Sequence, residues 1–248
     1  MPDASLSPGS PAPSSIRRSA ALLLLADGRL PAGGYAHSAG LEQAIVQGWV
    51  RTEEDIAEHL RGRIHTTGLV SGSFAAAAQH RTAAAIAAGD LDGLRDELAV
   101  LDAELIARTP SPALRKVGHD LGRMLLRAMT SIAPEQAHVL AAAGRVLQQP
   151  IAYGVVAAAL GLEARDAAAV VLYESAAGPA VAAVKLMSID PFATHRCLAA
   201  LAGDLDALTD RAADHATTDP RDLPGDTAPL SDLAAELHTR HDQRLFAS

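Results

Sequence analysis

Cysteine, aromatic side chains and positive charge are what this sequence has least of. Its 248 residues include one cysteine, Cys197, three tyrosines, three phenylalanines and one tryptophan. A single thiol excludes an intramolecular disulfide framework and any multi-thiolate zinc or iron–sulfur site within one chain, and it suits a reducing compartment. Against 29 Asp and Glu stand 21 Lys and Arg, a net charge of −8 with an isoelectric point near 5.6. The basic stripe expected of a general nucleic-acid binder is therefore missing. Long apolar runs are missing too. The longest charge-free stretch, Val146 to Leu162, contains Gln148, Gln149 and Pro150, too short and too interrupted for a membrane span. No A-x-A-like site follows Arg17, Arg18 and the apolar Ala20 to Ala26, which argues against a secretory signal.

Alanine and leucine dominate the apolar share, and with so few β-favouring aromatics this composition predicts helix over sheet. Residues 1 to 15, rich in Pro and Ser, predict a disordered leader. An all-α domain of about ten helices is expected over 16–216, a polar linker over 217–229, and a C-terminal partner-binding helix over 230–248. Within the domain, a helix is expected from about His37, and Thr52 to Asp55 make a capping-box start for one from Glu53 to about Thr67. Gly68, Ser71 and Gly72 predict a boundary before the next. Pro112 and Pro134 suit first turns, and Asp190-Pro191 opens a helix expected to run to about His215.

Chemistry-bearing motifs are few. Phosphate-binding glycine loops, H-E-x-x-H and paired-Cys spacings are absent from the sequence, so no cofactor is expected. The ten histidines are scattered. His238 and His241 could share one helix face, but two imidazoles without a third ligand make a poor metal cage, and no metal site is predicted. Cys197 sits in an Ala/Leu-rich helix as a core thiol. Ala36-His37-Ser38-Ala39-Gly40 approximates the nucleophile elbow of α/β-hydrolases. A small serine hydrolase using Ser38 is the alternative function, although the elbow requires a strand running into it.

The wider segment is more specific. Leu30-Pro31-x-Gly33-Gly34-Tyr35-x-His37-Ser38-x-Gly40-Leu41-Glu42, then Gly48-Trp49-Val50, resembles the N-terminal signature of the urease accessory protein UreF family, with Ala36 and His37 as departures. Three further blocks are similar to the same family in the same order. They are Thr109-Pro110-Ser111-x-x-Leu114-Arg115-x-x-Gly118 into Leu121-Gly122-Arg123, then Pro150-Ile151-Ala152-Tyr153-Gly154 continuing to Leu162 and Tyr173, and Pro229-Leu230-x-Asp232 through His238 to Arg244-Leu245-Phe246.

The resemblance implies a cytoplasmic, all-helical homodimer without catalytic residues of its own. It implies a bridge between UreD (also called UreH) and the GTPase UreG, in a complex that inserts nickel into apo-urease. Small residues Gly154, Ala158 and Gly161 are candidates for close helix or dimer packing. Tyr173, Lys185 and Glu174 are implied contacts for UreG. Leu230, Leu233, Leu237, Leu245 and Phe246 offer an apolar tail face suited to a partner groove, and the resemblance names UreD/UreH as the partner of this tail, Arg244 included. Arg115, Lys116, Arg123 and Arg127 gather basic charge on one helix. Asp120 can pair with Lys116 and Arg123 at helical spacing, which leaves Arg115 and Arg127 as the better docking candidates of the four.

Overall fold

A computed structural model describes residues 18–240 and 245–247. The expected leader, His241 and Arg244 lie outside the described residues. Helices run over α1 (Arg18–Leu25), α2 (Leu41–Val46), α3 (Glu53–Arg63), α4 (Leu69–Ala88), α5 (Leu94–Ala107), α6 (Pro112–Ile132), α7 (Ala137–Ala143), α8 (Gln149–Ala159), α9 (Ala164–Met187), α10 (Pro191–Ala200), α11 (Ala202–Asp214) and α12 (Pro229–His238). No strand occurs among the described residues. The fold is all-α, as the composition implies.

The core is built around α4. Its N-terminal half is buried on every side, from Leu69 through Ala78, the pattern of a helix surrounded by other helices. One face, with Phe74 and Ala78, joins α5, α6, α7 and α8 in one apolar cluster. The other, with Leu69 and Ala76, joins α2, α3, α9, α10 and α11 in a second. Helix α9 is long and apolar enough to cross a membrane by length and composition, yet most of that stretch is buried within the fold.

Three local expectations are corrected. The boundary at Gly68 is absent: α3 passes through a π-helical turn, Ile64–Gly68, directly into α4. Gly68 and Gly72 serve close approach instead. A Cβ on Gly68 would meet Ser175 Oγ at 2.9 Å, and one on Gly72 would meet Leu172 at 3.2 Å and Ala212 at 3.3 Å. The helix expected from Asp190 to His215 is two, bent at Leu201, whose buried side chain turns inward while its N–H still bonds to Cys197 and Leu198 carbonyls. The helix expected from His37 starts at Leu41, because Ala39 and Gly40 both take left-handed φ, 54° and 88°, which a helix cannot continue through.

Caps follow the sequence closely. Thr52 Oγ1 accepts from Asp55 N at 3.2 Å while Asp55 Oδ2 accepts from Thr52 N at 3.0 Å. Pro112 opens α6, and Ser111 Oγ accepts from Leu114 N. The linker, by contrast, is fastened down. Arg108 Nη2 donates to the carbonyls of Arg221 and Leu223 at 2.8 and 3.3 Å, Arg81 Nη2 donates to that of Thr218 at 3.0 Å, and Leu223 is buried in the core. The C-terminal helix ends at His238, seven residues before Leu245, and packs on α2 and α6.

Gly154 marks the closest helix contact. A Cβ there would collide with the carbonyl oxygen of Ala75 and stand 2.8 Å from both Ala78 Cβ and Gln79 N. Gly154 and Ala158 are thus buried within one chain and offer no surface to a second copy. Gly161 is exposed, with φ 72° at the end of α8. Gly154→Ala should lower stability by about 2 kcal/mol or more through overpacking. Gly62→Ala, on the open face of α3 with nothing within 4 Å, should raise it by about 0.5–1 kcal/mol. Urea midpoints of the two variants, at unchanged slope, check both signs.

Candidate functional site

The four sequence blocks meet. A recess of about 240 Å³ takes part of its wall from each: His37 from the first, Leu114 from the second, Tyr153 from the third and Asp232 from the fourth. Around it, buried and part-buried carboxylates staple the blocks together through backbone N–H groups.

Glu42 is the most deeply buried of these acids. It is 5% exposed, and its two carboxylate oxygens accept from Leu245 N at 2.8 Å and Phe246 N at 3.1 Å. Ala247 N adds a bond to Ala36 O at 2.7 Å, so the first block holds the last residues of the chain. His238 is buried, with Nε2 3.3 Å from Phe246 O; it ties the same segment rather than standing ready for a metal. Phe246 is buried beneath Lys185, whose Nζ lies 5.8 Å from the ring centroid. Leu245, Leu230 and Leu233 remain exposed, and Leu237 is half-buried.

The fourth block also caps the second. Ser111 N donates to Asp232 Oδ1 at 3.3 Å, and Ser111 Oγ and Ala113 N both donate to Glu236 Oε1. Acids at a helix N-terminus satisfy its unpaired N–H groups and oppose its dipole favourably. Burial raises Asp232, although the bond from Ser111 pulls the other way. Arg115 donates to the carbonyls of Thr109 and Pro110 at 2.7 and 2.8 Å, a structural use that spacing could not reveal. Lys116 and Arg123 pair with Asp120 at 2.6 and 2.9 Å. A second buried acid, Asp102, accepts from Gln148 N at 2.6 Å and lies 2.9 Å from His119 Nε2.

The first block is shaped by backbone demands. Gly33 has φ 85°, and a Cβ there would strike Met124. Gly40, φ 88°, leads into α2 against Ala234 and Ser231 of α12. Leu41 is buried, Gly34 lines the recess, and Pro31 and Tyr35 are exposed. Ser38 is fully buried, and its Oγ accepts from Glu42 N at 3.2 Å. A nucleophile elbow needs a strand and an exposed Oγ, so the serine-hydrolase alternative fails. Among the described residues, no three His, Cys, Asp or Glu side chains cluster as a metal cage.

The implied UreG contacts separate. Tyr173 is 44% exposed and Lys185 is also exposed. Twelve residues of helix set them about 18 Å apart along the axis and about 120° apart around it. Glu174 instead lines the recess, half-buried, and burial, with a smaller push from Asp27, raises its carboxyl to about 7. Burial, aided by Glu174, likewise pushes the Tyr153 hydroxyl upward. Burial lowers His37 against a smaller opposing pull from Asp120, and it draws Arg63, which donates to Ser175 and Ala39 carbonyls, down to about 10. Sequence reading missed Arg63, Asp102 and Glu236. Their partners lie far along the chain, so spacing held no signal for them.

Two outcomes follow. Glu42→Ala removes two charge-assisted bonds and should speed amide exchange at Leu245 and Phe246 at least about tenfold. Because the folded carboxyl of Glu174 titrates above its unfolded value, the folded state holds the extra proton, and stability falls as pH rises from about 4.5 through about 7. Glu174→Gln should match the parent below that window and exceed it above by about 1–3 kcal/mol, read from thermal melts at pH 4 and pH 8.

Comparison with known proteins agrees with this arrangement. The UreF family model matches residues 50–202. A urease accessory protein UreF from Mycobacterium sp. (strain JLS) is 38% identical over 227 residues, covering 92% of this chain and 97% of the relative. Those of Mycolicibacterium vanbaalenii and Mycobacterium tuberculosis are 37% and 33% identical, each covering 92% of this chain and 98% of the relative. With four ordered sequence blocks converging on one recess in a strand-free fold, the chain belongs to the urease accessory protein UreF family.

Proposed function

We propose that this chain is a non-catalytic, cytoplasmic scaffold of urease maturation that bridges UreD/UreH and the GTPase UreG while nickel is inserted into apo-urease. The observation carrying this reading is the joining of residues 36–42 to residues 245–247. The Glu42 staple and the Ala36–Ala247 bond bring Leu245 beside the loop that carries Tyr35. Leu245 and Tyr35 are 74% and 69% exposed, and Leu230 and Leu233 add to the apolar surface on α12. Ordering such side chains in water without covering them is unfavourable, whereas a rigid backbone beneath them lowers the entropy lost when a partner binds.

UreD/UreH docks on this surface, and UreG docks on the exposed side of α9 at Tyr173 and Lys185. Glu174 acts from within, setting the wall behind Tyr173. Nickel passes as cargo. Self-association as a homodimer belongs to the same reading; exposed Val181 and Phe192 offer apolar surface for it, while Gly154 and Ala158 are already used inside the chain.

Capture experiments with purified UreD/UreH and UreG test the assignment. Leu230→Asp and Leu245→Asp change exposed side chains, so the fold should persist while UreD/UreH capture drops at least about tenfold. Tyr173→Ala and Lys185→Ala should lower UreG capture similarly. Full retention of both partners by all four variants would reject these surfaces, and urease that gains nickel-dependent activity in cells lacking this chain would reject the role.

A further inference from the structure

Arg63 and Thr67 stand four residues apart on the wall of the recess, flanking and within the π turn Ile64–Gly68. No other π turn occurs among the described residues. Such turns are rare, and they recur at functional sites. Two side chains here have unmet needs. The guanidinium of Arg63 has no acidic partner among the described residues, and of its five N–H donors two are used, on the carbonyls of Ser175 and Ala39. Thr67 Oγ1 is buried without any hydrogen-bond partner. A part-buried charge with no counterion, on the same recess wall as an unsatisfied buried hydroxyl, is costly unless something else occupies the space.

We propose that the recess binds one small oxyanion of the carboxylate or bicarbonate class, with Arg63 as its charged anchor and the Thr67 hydroxyl as a second donor. The guanidinium fork matches a planar, two-oxygen anion, and about 240 Å³ admits it with several waters. A single negative charge balances the single unpaired cation. A phosphate dianion would not be matched, because the other arginine on the wall, Arg108, is already paired with Glu104 at 2.6 Å. The acids on the wall do not make this a cation site: Asp232 is engaged by Ser111 N, and the buried carboxyl of Glu174 resists ionisation below about pH 7. This inference does not depend on which protein partners bind elsewhere.

The test uses the full chain at pH 6.5 and constant ionic strength, with chloride as the balancing ion. Sodium formate and sodium bicarbonate, titrated separately, should raise the melting temperature saturably beyond chloride, with matching calorimetric binding, and phosphate should not. Arg63→Met should weaken formate binding at least about thirtyfold, and Thr67→Val about three- to tenfold. Arg211→Met, on an exposed face of α11, should leave it unchanged. The isosteric Thr67→Val decides alone if Arg63→Met fails to fold. Melting shifts no larger than those of chloride, binding of phosphate only, or unchanged formate affinity in folded Arg63→Met or Thr67→Val would each overturn the proposal.

Discussion

The approach of α8 to α4 at Gly154 is the contact on which the remaining architecture rests. Where the helices cross, the Ala75 carbonyl and the Ala78 methyl occupy the space that a side chain would need. Because neither helix carries bulk at that crossing, α4 can be covered on its other side by α9 and α11, again through small residues at Gly68 and Gly72. An alanine-rich composition, which in isolation means only helix propensity, here sets interhelical distance. The same seam positions Tyr153, one residue before Gly154, on the wall of the recess.

A second constraint is the use of buried acids. In a chain with a net charge of −8, buried Glu42 and Asp102 and part-buried Glu236 do not all seek cations; they accept backbone N–H groups of distant segments at Leu245, Gln148 and Ala113. Each bond satisfies a donor that would otherwise be stranded at a helix end or in a loop, where loss is expensive. These staples convert a polar linker and a short terminal helix into part of the domain. They leave Leu230, Leu233 and Leu245 presented on ordered backbone, the form in which an apolar surface is useful to a partner.

Much of the fold was legible in advance. Pro112 and the Thr52–Asp55 box announce helix starts because their conformational preferences act within one turn. Local signals misled at Gly68 and Gly72, where glycine serves a neighbour three or more helices away rather than its own backbone. At 217–229 the polar composition carried no sign of the anchors supplied by Arg81 and Arg108. In the candidate site, the structure brings the four blocks to one recess, and it sets Glu174, read as a partner contact, on the recess wall. Helical phase cannot distinguish solvent from a cavity, since both receive polar side chains.

By itself the sequence determined the all-helical class, most helix starts, the poverty of thiols and the ordered blocks that identify the family, since these depend on residue type and on neighbours within a few positions. Only the tertiary structure decided that Glu42 holds residues 245 and 246, that Gly154 packs within the chain, and that Arg63 stands part-buried without an acidic partner among the described residues. Those outcomes depend on contacts between residues up to about two hundred positions apart, and the physics of one turn of helix carries no record of them.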